Sequence, residues 1–330
     1  MIDELIIHIG SHKAASTSMQ KCLREKSYEV ENDVYYPETL GGPVQHNHNY
    51  YVRSLKTKHH ENRFGHLLNL LRNTDSNRVV ISSAAYAYFK AEDLKDHIEK
   101  YYKPLARNIR LIKYIRPHLS SLVSSYTELL RIGLYSGTIY TLLEQSSAVS
   151  MMLNYDNPYS LKKTFGESMD IVPLISEALI GNDPVTDILH RIFVDQKIEI
   201  KKYHKDNIMV SAQYLSVIKA LQAENSGSYE DKKIHGYEYT RALPEIWSPE
   251  NPIKYQMSKS SAKAFAIGNH KLLKDAKKCD KLLFDQPYLE NAMYDDIGSS
   301  PVHDVSLKMD DYEGAQNCFE KMRLKFSHHF

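Results

Sequence analysis

Short apolar runs alternate with amphipathic stretches through the first 200 residues of the chain. The runs are brief, apolar and bounded by polar residues, which predicts buried strands. One amphipathic stretch has proline at its first helical position and ends at Gly133. The predicted strands cover residues 6–9, 78–82, 108–115 and 169–174, and the predicted helices cover 16–26, 61–72, 117–133 and 184–194. Strands that alternate with helices are typical of an α/β fold, in which helices cover both faces of a parallel sheet.

The remainder of the chain is predicted to be mostly helical. Apolar residues at helical spacing predict helices over 212–223, 258–283 and 311–325, and a polar, charged loop is predicted over 224–235. The sequence contains no internal repeat, low-complexity tract or convincing linker. We therefore predict a single domain of residues 1–330, with an α/β core over 1–200 and a mostly helical subdomain over 201–330.

The first predicted strand runs into the first predicted helix through a turn of small residues that begins at Gly10. Free backbone N–H groups and the positive end of the helix dipole converge there, so the turn favours an anion. Lys13 adds a formal charge, and three hydroxyl groups follow it at Ser16, Thr17 and Ser18. The turn is not a Walker A loop, because the Gly-Lys-Ser/Thr ending is missing. The alternative interpretation is an ordinary strand–helix turn with a solvated lysine.

A second candidate for anion binding follows the third predicted strand. Arg116 ends that strand, and Ser124 lies eight residues further on in the next helix. A guanidinium group and a hydroxyl suit a phosphate monoester. Ligands of parallel sheets bind outside the carboxyl ends of the strands, so Arg116 and the Lys13 turn are expected to face one crevice. The alternative is that Arg116 merely caps the strand and Ser124 lies on the surface.

Together these motifs resemble those of sulfotransferases that use 3′-phosphoadenosine 5′-phosphosulfate (PAPS). The order strand–Gly-x-x-Lys followed by small residues and Ser16-Thr17-Ser18 resembles the loop that binds the 5′-phosphosulfate. Strand–Arg-Pro-x6-Ser-Ser-Tyr, from Arg116, resembles the 3′-phosphate motif. The segment 163–173 is similar to a downstream segment of bacterial, carbohydrate-type members. The resemblance covers residues 1–200 and implies a P-loop-like three-layer sandwich with a central parallel sheet and a helical C-terminal portion.

The resemblance also implies a reaction, in which the sulfuryl group moves from PAPS to a hydroxyl of a saccharide or glycoconjugate. Lys13 would stabilise the charge that develops on the leaving oxygen. No metal is required by this scheme. The implied cofactor-binding residues are Ser11, His12, Lys13, Ala14, Ala15, Ser16, Thr17, Ser18, Arg116 and Ser124.

A general base must remove the proton of the acceptor hydroxyl. In relatives the base is a histidine or a glutamate on a segment that follows the first helix. This resemblance points to the polar loop after Pro37, where His48 is favoured, then His46, because imidazole titrates near neutral pH, and Glu38 is the third candidate. His12 is a fourth candidate, which is expected instead to stack over the cofactor phosphates or to face solvent. The chain departs from the family pattern at Ala14-Ala15, where relatives often have glycine. It departs again at Ser83-Ala84, where many bacterial relatives place an acidic residue. Both a narrow acceptor range and a weakened enzyme would be consistent with these departures.

The composition of the chain limits the classes of binding partner and the cellular compartments that can be expected. The formal net charge is +1, which gives no reason to expect nucleic-acid binding. Three widely spaced cysteines fit neither a disulfide framework nor a zinc pattern, and they indicate a reducing compartment. No segment is long enough to span a membrane and no signal peptide is evident, so a cytoplasmic, bacterial enzyme is expected.

Two other functions remain open on the sequence. A nucleotide-dependent kinase is disfavoured by the missing Walker A ending and by the lack of an acidic Mg²⁺ partner after a strand. The other alternative is a non-catalytic, degenerate sulfotransferase that still binds PAPS or its desulfated form, 3′-phosphoadenosine 5′-phosphate (PAP). The sequence leaves the acceptor and the oligomeric state open.

Overall fold

The computed structural model describes residues 1–10, 16–39, 47–54, 60–144, 156–194, 196–203, 210–284 and 305–330. The chain divides into two compact units, each built from three separate segments. The first unit comprises Met1–Pro117, Asn154–Asn207 and Asp275–Met293, and the second comprises His118–Leu153, Ile208–Lys274 and Tyr294–Phe330. The single domain with a boundary near residue 200 stays a prediction.

The first unit contains a four-stranded sheet in which all strand pairs are parallel. Its strands are β1 (Ile2–His8), β3 (Arg78–Ser82), β4 (Ala106–Ile115) and β5 (Met169–Pro173). Their spatial order is β3-β1-β4-β5, so β1 and β4 are the two central strands. Two short strands, β2 (Tyr28–Glu29) and β6 (Glu199–Ile200), form a separate antiparallel pair. The predicted α/β fold with a central parallel sheet is confirmed.

Thirteen helices can be numbered within the described part of the chain. In chain order they are α1 (Ser16–Arg24), α2 (Asn49–Ser54), α3 (His60–Arg72), α4 (Ala91–His97), α5 (His118–Arg131), α6 (Ile139–Leu143), α7 (Asp156–Phe165), α8 (Pro184–Ile192), α9 (Ala212–Glu224), α10 (Tyr229–Ile246), α11 (Lys259–Gly268), α12 (His270–Leu283) and α13 (Ala315–Lys325). None of them combines the length and the apolar character that crossing a membrane requires.

Helices cover both faces of the sheet. Successive side chains of a strand point to opposite faces, so each face has its own apolar cluster. On one face, residues such as Ile7, Ile81 and Leu111 pack with side chains of α2, α3, α4 and α7. On the other face, residues such as Ile6 and Ile112 pack with side chains of α1 and α8. The first unit therefore has three layers, and its two buried clusters fix β1 and β4 between them.

Charged side chains join neighbouring strands of the sheet and attach α8 to it. Glu4 on β1 accepts hydrogen bonds from Arg78 on β3 (2.9 Å) and Arg110 on β4 (3.1 Å), near the amino ends of the strands. On the face covered by α8, the buried carboxylate of Asp187 accepts hydrogen bonds from the Tyr114 hydroxyl (2.5 Å) and the Arg191 Nε (2.7 Å). Asp187 thus links α8 to the central strand β4.

The second unit is helical, as predicted for most of this part of the chain. Its core joins apolar side chains of α9, α10 and α13. Trp247, just after α10, packs edge to face against Tyr214, with ring centroids 5.8 Å apart. Gly314 precedes α13 with φ 80°, and a Cβ there would lie 3.0 Å from the Trp247 Nε1. This turn therefore needs glycine for two reasons, its backbone angle and its close approach to the indole.

Several predicted boundaries differ from the structure, and β1, for example, begins at Ile2 rather than at residue 6. The predicted loop over 224–235 is wrong in its second half, because Ser228 and Asp231 form a capping box that starts α10 at Tyr229. The helical stretch 258–283 is two helices, which Asn269 separates with φ −115° and ψ 24°. The helix after Arg116 begins at His118 rather than at Pro117.

Candidate active site

The two strands that carry the predicted anion motifs are neighbours in the sheet. His8, the last residue of β1, is level with Ile112 of β4 and with Ser82 of β3. Gly10 follows β1, and Arg116 follows β4 directly. Because the strands are parallel, both chain segments leave the sheet at the same edge. Edges of this kind are where ligands of open α/β sheets bind.

The start of α1 suits an anion. Ser16 and Thr17 are half-buried and Ser18 is buried, so the three hydroxyl-bearing residues form the first turn of the helix. That turn contains no acidic residue, and the basic residues Lys21 and Arg24 lie in the last turn. The partial positive charge of the first N–H groups is therefore not offset by a neighbouring carboxylate of the helix.

Several predicted site residues lie outside the described residues, namely Ser11, His12, Lys13, Ala14, Ala15 and His46. Arg116 is half-buried at the end of the first segment of the first unit. Ser124 is half-buried in α5, which belongs to the second unit, and its carbonyl accepts a hydrogen bond from the Thr127 hydroxyl (3.0 Å). The joint action of Arg116 and Ser124 on one phosphate stays a prediction.

A buried polar cluster, which the sequence interpretation missed, surrounds Ser82 at the carboxyl end of β3. The Ser82 Oγ lies 2.7 Å from the Nδ1 of His8 and accepts a hydrogen bond from the Gln20 Nε2 at 2.8 Å. The Nε2 of His8 has no hydrogen-bond partner among the described residues. Burial, and to a smaller extent the nearby Lys113, lower the pKa of His8 to about 4, so its ring is neutral at pH 7. The cluster links β1, β3 and α1 beside the sheet edge that carries the predicted site.

Lys113 is a second group that the sequence interpretation missed. It is 2% exposed, one position beyond Ile112 on the central strand β4. Burial lowers the pKa of its ammonium group to about 8. A lysine is seldom fully buried without a specific reason. Its signal in the sequence was a single charge inside the apolar run from Leu111 to Ile115.

The polar sequence around His48 predicts a residue on a solvated loop, and this prediction is wrong. Its side chain is fully buried, and its Nδ1 accepts a hydrogen bond from the Ser82 backbone N–H at 3.0 Å. Its Nε2 lies 3.0 Å from the Pro37 carbonyl oxygen, to which it donates. Burial lowers the pKa of the ring to about 4. Both ring nitrogens are engaged with backbone groups, which disfavours His48 as the base that takes a substrate proton.

Glu38 has the accessibility that His48 lacks. Its side chain is 67% exposed, and its Oε1 lies 3.2 Å from the Nε2 of His66 on α3. The Tyr51 hydroxyl donates to the Glu38 carbonyl (2.9 Å), which fixes the backbone at this position.

His66 also lines an open pocket of about 550 Å³, but residues 73–75, which precede β3, form part of its wall. That pocket therefore adjoins the amino end of β3 and not the carboxyl edge.

Comparisons with known proteins add one likeness. No protein-family model matches the chain, and no curated protein matches it. The chain is similar to the crystal structure of a sulfotransferase from Alicyclobacillus acidocaldarius, with 14% sequence identity and a TM-score of 0.39 over 67% of this chain and 92% of that one. A TM-score below 0.5 does not establish a shared fold, so the function proposed next depends on this chain's own residues.

Proposed function

We propose that this chain is a PAPS-dependent sulfotransferase that acts on a hydroxyl of a saccharide or glycoconjugate. The observation that carries the proposal is the adjacency of β1 and β4 in a parallel sheet. The segment that leaves β1 resembles the loop that binds the 5′-phosphosulfate, and the residue after β4 is Arg116, which begins the segment that resembles the 3′-phosphate motif. Two anion-binding motifs at one sheet edge suit a ligand with phosphate groups at both ends of a nucleoside.

The proposed reaction is an in-line displacement at sulfur. The acceptor oxygen attacks sulfur, the bond from sulfur to the bridging oxygen breaks, and that oxygen keeps the electron pair as part of the phosphate of PAP. Lys13 and the N–H groups at the start of α1 would stabilise the charge that develops on this oxygen. The buried ammonium of Lys113 adds positive potential near the same edge of the sheet.

The acceptor proton passes to a base in this scheme, and Glu38 is our first choice among the predicted candidates. Its carboxylate is exposed, whereas both nitrogens of His48 are hydrogen-bonded to backbone atoms. We assign His48 a positioning role: it ties the segment before α2 to the end of β3. Glu38→Gln should then abolish transfer and leave PAP affinity unchanged.

The first test is calorimetric titration of the purified chain with PAP. Arg116→Ala should weaken PAP binding about 10- to 150-fold, the equivalent of about 1.5–3 kcal/mol for a charge-assisted contact. Arg107→Ala is the matched control, because Arg107 lies on the same strand at its amino end, is 67% exposed and pairs with Asp3. That control should bind PAP as the unmodified chain does. Equal affinity in both variants would contradict the placement of the nucleotide.

The same titration discriminates the alternatives. If ATP with Mg²⁺ binds and PAP does not, the proposal is wrong and a nucleotide-dependent kinase becomes the favoured alternative. If PAP binds but labelled PAPS transfers no sulfuryl group to any saccharide acceptor, the protein is a non-catalytic PAP-binding relative.

A further inference from the structure

A cluster of metal-ligating side chains lies in the second unit and has no role in the proposed transfer reaction. His235 and Glu238 are three residues apart on α10, so they lie on one face of that helix. His329 comes from the short turn Ser327–His329 that follows α13. One nitrogen of each histidine and one carboxylate oxygen all lie within 4.8 Å of one another. Among the described residues, this is the one cluster of at least three histidine, cysteine or acidic side chains close enough to share a metal ion.

Among the described residues, no hydrogen bond joins the side chains of His235, Glu238 and His329 to one another. The rings of His235 and His329 are stacked face to face, with centroids 3.5 Å apart and planes 4° from parallel. The His329 Nε2 lies 3.4 Å from the Glu238 Oε2, beyond the usual length of an N–H···O bond. The three ligand atoms thus lie close together, although the parallel rings do not aim their nitrogens at one point in this arrangement. Zn²⁺ bonds of about 2.0–2.2 Å to nitrogen and oxygen would hold donors about 3.3–3.5 Å apart in a tetrahedral site.

We propose that His235, Glu238 and His329 bind a divalent transition-metal ion, for which Zn²⁺ is the best match. Two imidazoles and one carboxylate are a donor set that Zn²⁺ uses with a water molecule in the fourth position. The His329 side chain is 6% exposed, whereas that of Glu238 is 42% exposed, so the open side of the site lies at the carboxylate. The ion would fasten the turn after α13 onto α10. This inference does not depend on the proposed transferase function.

The residues around the cluster bear on its affinity. The Tyr239 hydroxyl lies 3.3 Å from the Nδ1 of His329, a partner that leaves the Nε2 for the ion. Asn225 disfavours metal binding by His235, because its N–H group and not its oxygen faces that ring. The Asn225 Nδ2 lies 2.7 Å from the His235 Nδ1, and the Asn225 Oδ1 accepts a hydrogen bond from the Gly227 N–H at 2.8 Å. An imidazole that binds a metal through Nε2 carries its proton on Nδ1, where it meets an Asn225 N–H.

Metal binding therefore has two structural costs. The Asn225 amide must turn so that its oxygen faces His235, which breaks the bond to Gly227. The two parallel rings must tilt apart, because a bound ion lies in the plane of each imidazole. Asn225→Asp removes the first cost, since a carboxylate can accept from Gly227 and from the His235 Nδ1 at the same time. We expect this variant to bind the ion about 10-fold more tightly than the unmodified chain.

The experiment titrates Co²⁺ into the full chain after treatment with a chelator, follows the visible ligand-field bands, and then displaces Co²⁺ with Zn²⁺. The expected result is one ion per chain. Glu238→Gln and His329→Ala should each lower the affinity at least about 10-fold, the effect typical of a lost ligand or its partner. Glu245→Gln is the matched control: it removes a carboxylate from the same helix, 3.2 Å from the Lys325 Nζ of α13, and leaves the cluster intact.

A metal site is distinguished from a purely structural cluster by comparing the Co²⁺ affinities of the unmodified chain, Glu245→Gln and Asn225→Asp. Circular dichroism establishes that each variant is folded, and Glu238→Gln is the milder of the two ligand changes because its side chain is partly exposed. The proposal is overturned if Co²⁺ gives no ligand-field bands. It is also overturned if Glu238→Gln binds as tightly as Glu245→Gln, or if Asn225→Asp fails to tighten binding.

Discussion

Three ionisable residues of the first unit are buried next to the carboxyl edge of its sheet, and each has a consequence that can be measured. His8 and His48 are neutral in the folded chain, because burial lowers their pKa values to about 4. Lys113 is buried on β4, and its pKa is lowered to about 8. The free energy of unfolding falls with falling pH wherever the unfolded chain binds protons that the folded chain does not.

Acid should therefore destabilise the protein well above the range in which carboxylates titrate. Between pH 6.5 and about 4 the unfolded histidines are protonated and the folded ones are not, so the free energy of unfolding falls as the pH falls. Each histidine contributes up to about 3 kcal/mol to that loss. Urea unfolding over this range measures it, and His8→Gln should remove about half of the pH-dependent part. A free energy of unfolding that stays constant from pH 7 to 5 would contradict the burial of these rings.

Replacing Lys113 should stabilise the protein. Below pH 8 the folded chain holds a charged ammonium in an apolar site, and between about 8 and 10.5 the unfolded chain is protonated while the folded chain is not. Lys113→Met should therefore raise the free energy of unfolding at pH 7 by up to about 3 kcal/mol, and the difference should vanish above pH 10.5. Urea unfolding at both pH values checks this. A less stable variant at pH 7 would show that the ammonium is stabilised by partners.

The histidines also show where interpretation of the sequence fails at this scale. His48 lies in a polar stretch, and nothing local indicates that it is buried. Its burial comes from pairing with Ser82, 34 residues away, in a contact that only the folded chain creates. Glu38 is a candidate from its place in the same polar segment, and the structure adds the accessibility that separates it from His48.

At the scale of the elements, the existence of the strands was easier to predict than the ends of strands or helices. The boundaries of β3 were predicted to the residue, because polar residues limit its apolar run on both sides, whereas β1 begins four residues before its predicted start. The start of α10 was missed, since polar residues conceal a helix whose first turn depends on the Ser228 capping box. Helix caps act through a few side-chain bonds, and hydrophobic periodicity does not detect them.

The attachment of α8 to the sheet depends on Asp187. Asp187→Ala would leave the buried Tyr114 hydroxyl and the Arg191 guanidinium without their acceptor. The expected loss in free energy of unfolding is about 3–5 kcal/mol, the cost of breaking one partner out of a buried ion pair. Tyr114→Phe, which removes a single hydrogen bond, should cost only about 1 kcal/mol. Chemical denaturation of both variants measures the difference, and similar losses would show that Asp187 is not the centre of this contact.

For the whole molecule, the alternation of strands and helices was enough to predict a parallel sheet with helices on both faces. The order of the strands was beyond the sequence alone, because every strand is apolar and any of them can pair with any other. The pairing of β1 with β4 is what gives Gly10 and Arg116 a common edge, and it depends on the two apolar clusters that fix each face. The division of Arg116 and Ser124 between two units was equally invisible, since eight residues of sequence carry no sign of a boundary.

The contact of Trp247 with Tyr214 and Gly314 has an optical consequence. Trp247 is the single tryptophan of the chain, and its surroundings belong to the second unit. Its emission therefore follows the packing of that unit alone, while far-ultraviolet circular dichroism averages over both. Unfolding curves from the two signals coincide only if the units lose their structure together. The protein thus contains its own reporter for the cooperativity of two units whose segments are interleaved along one chain.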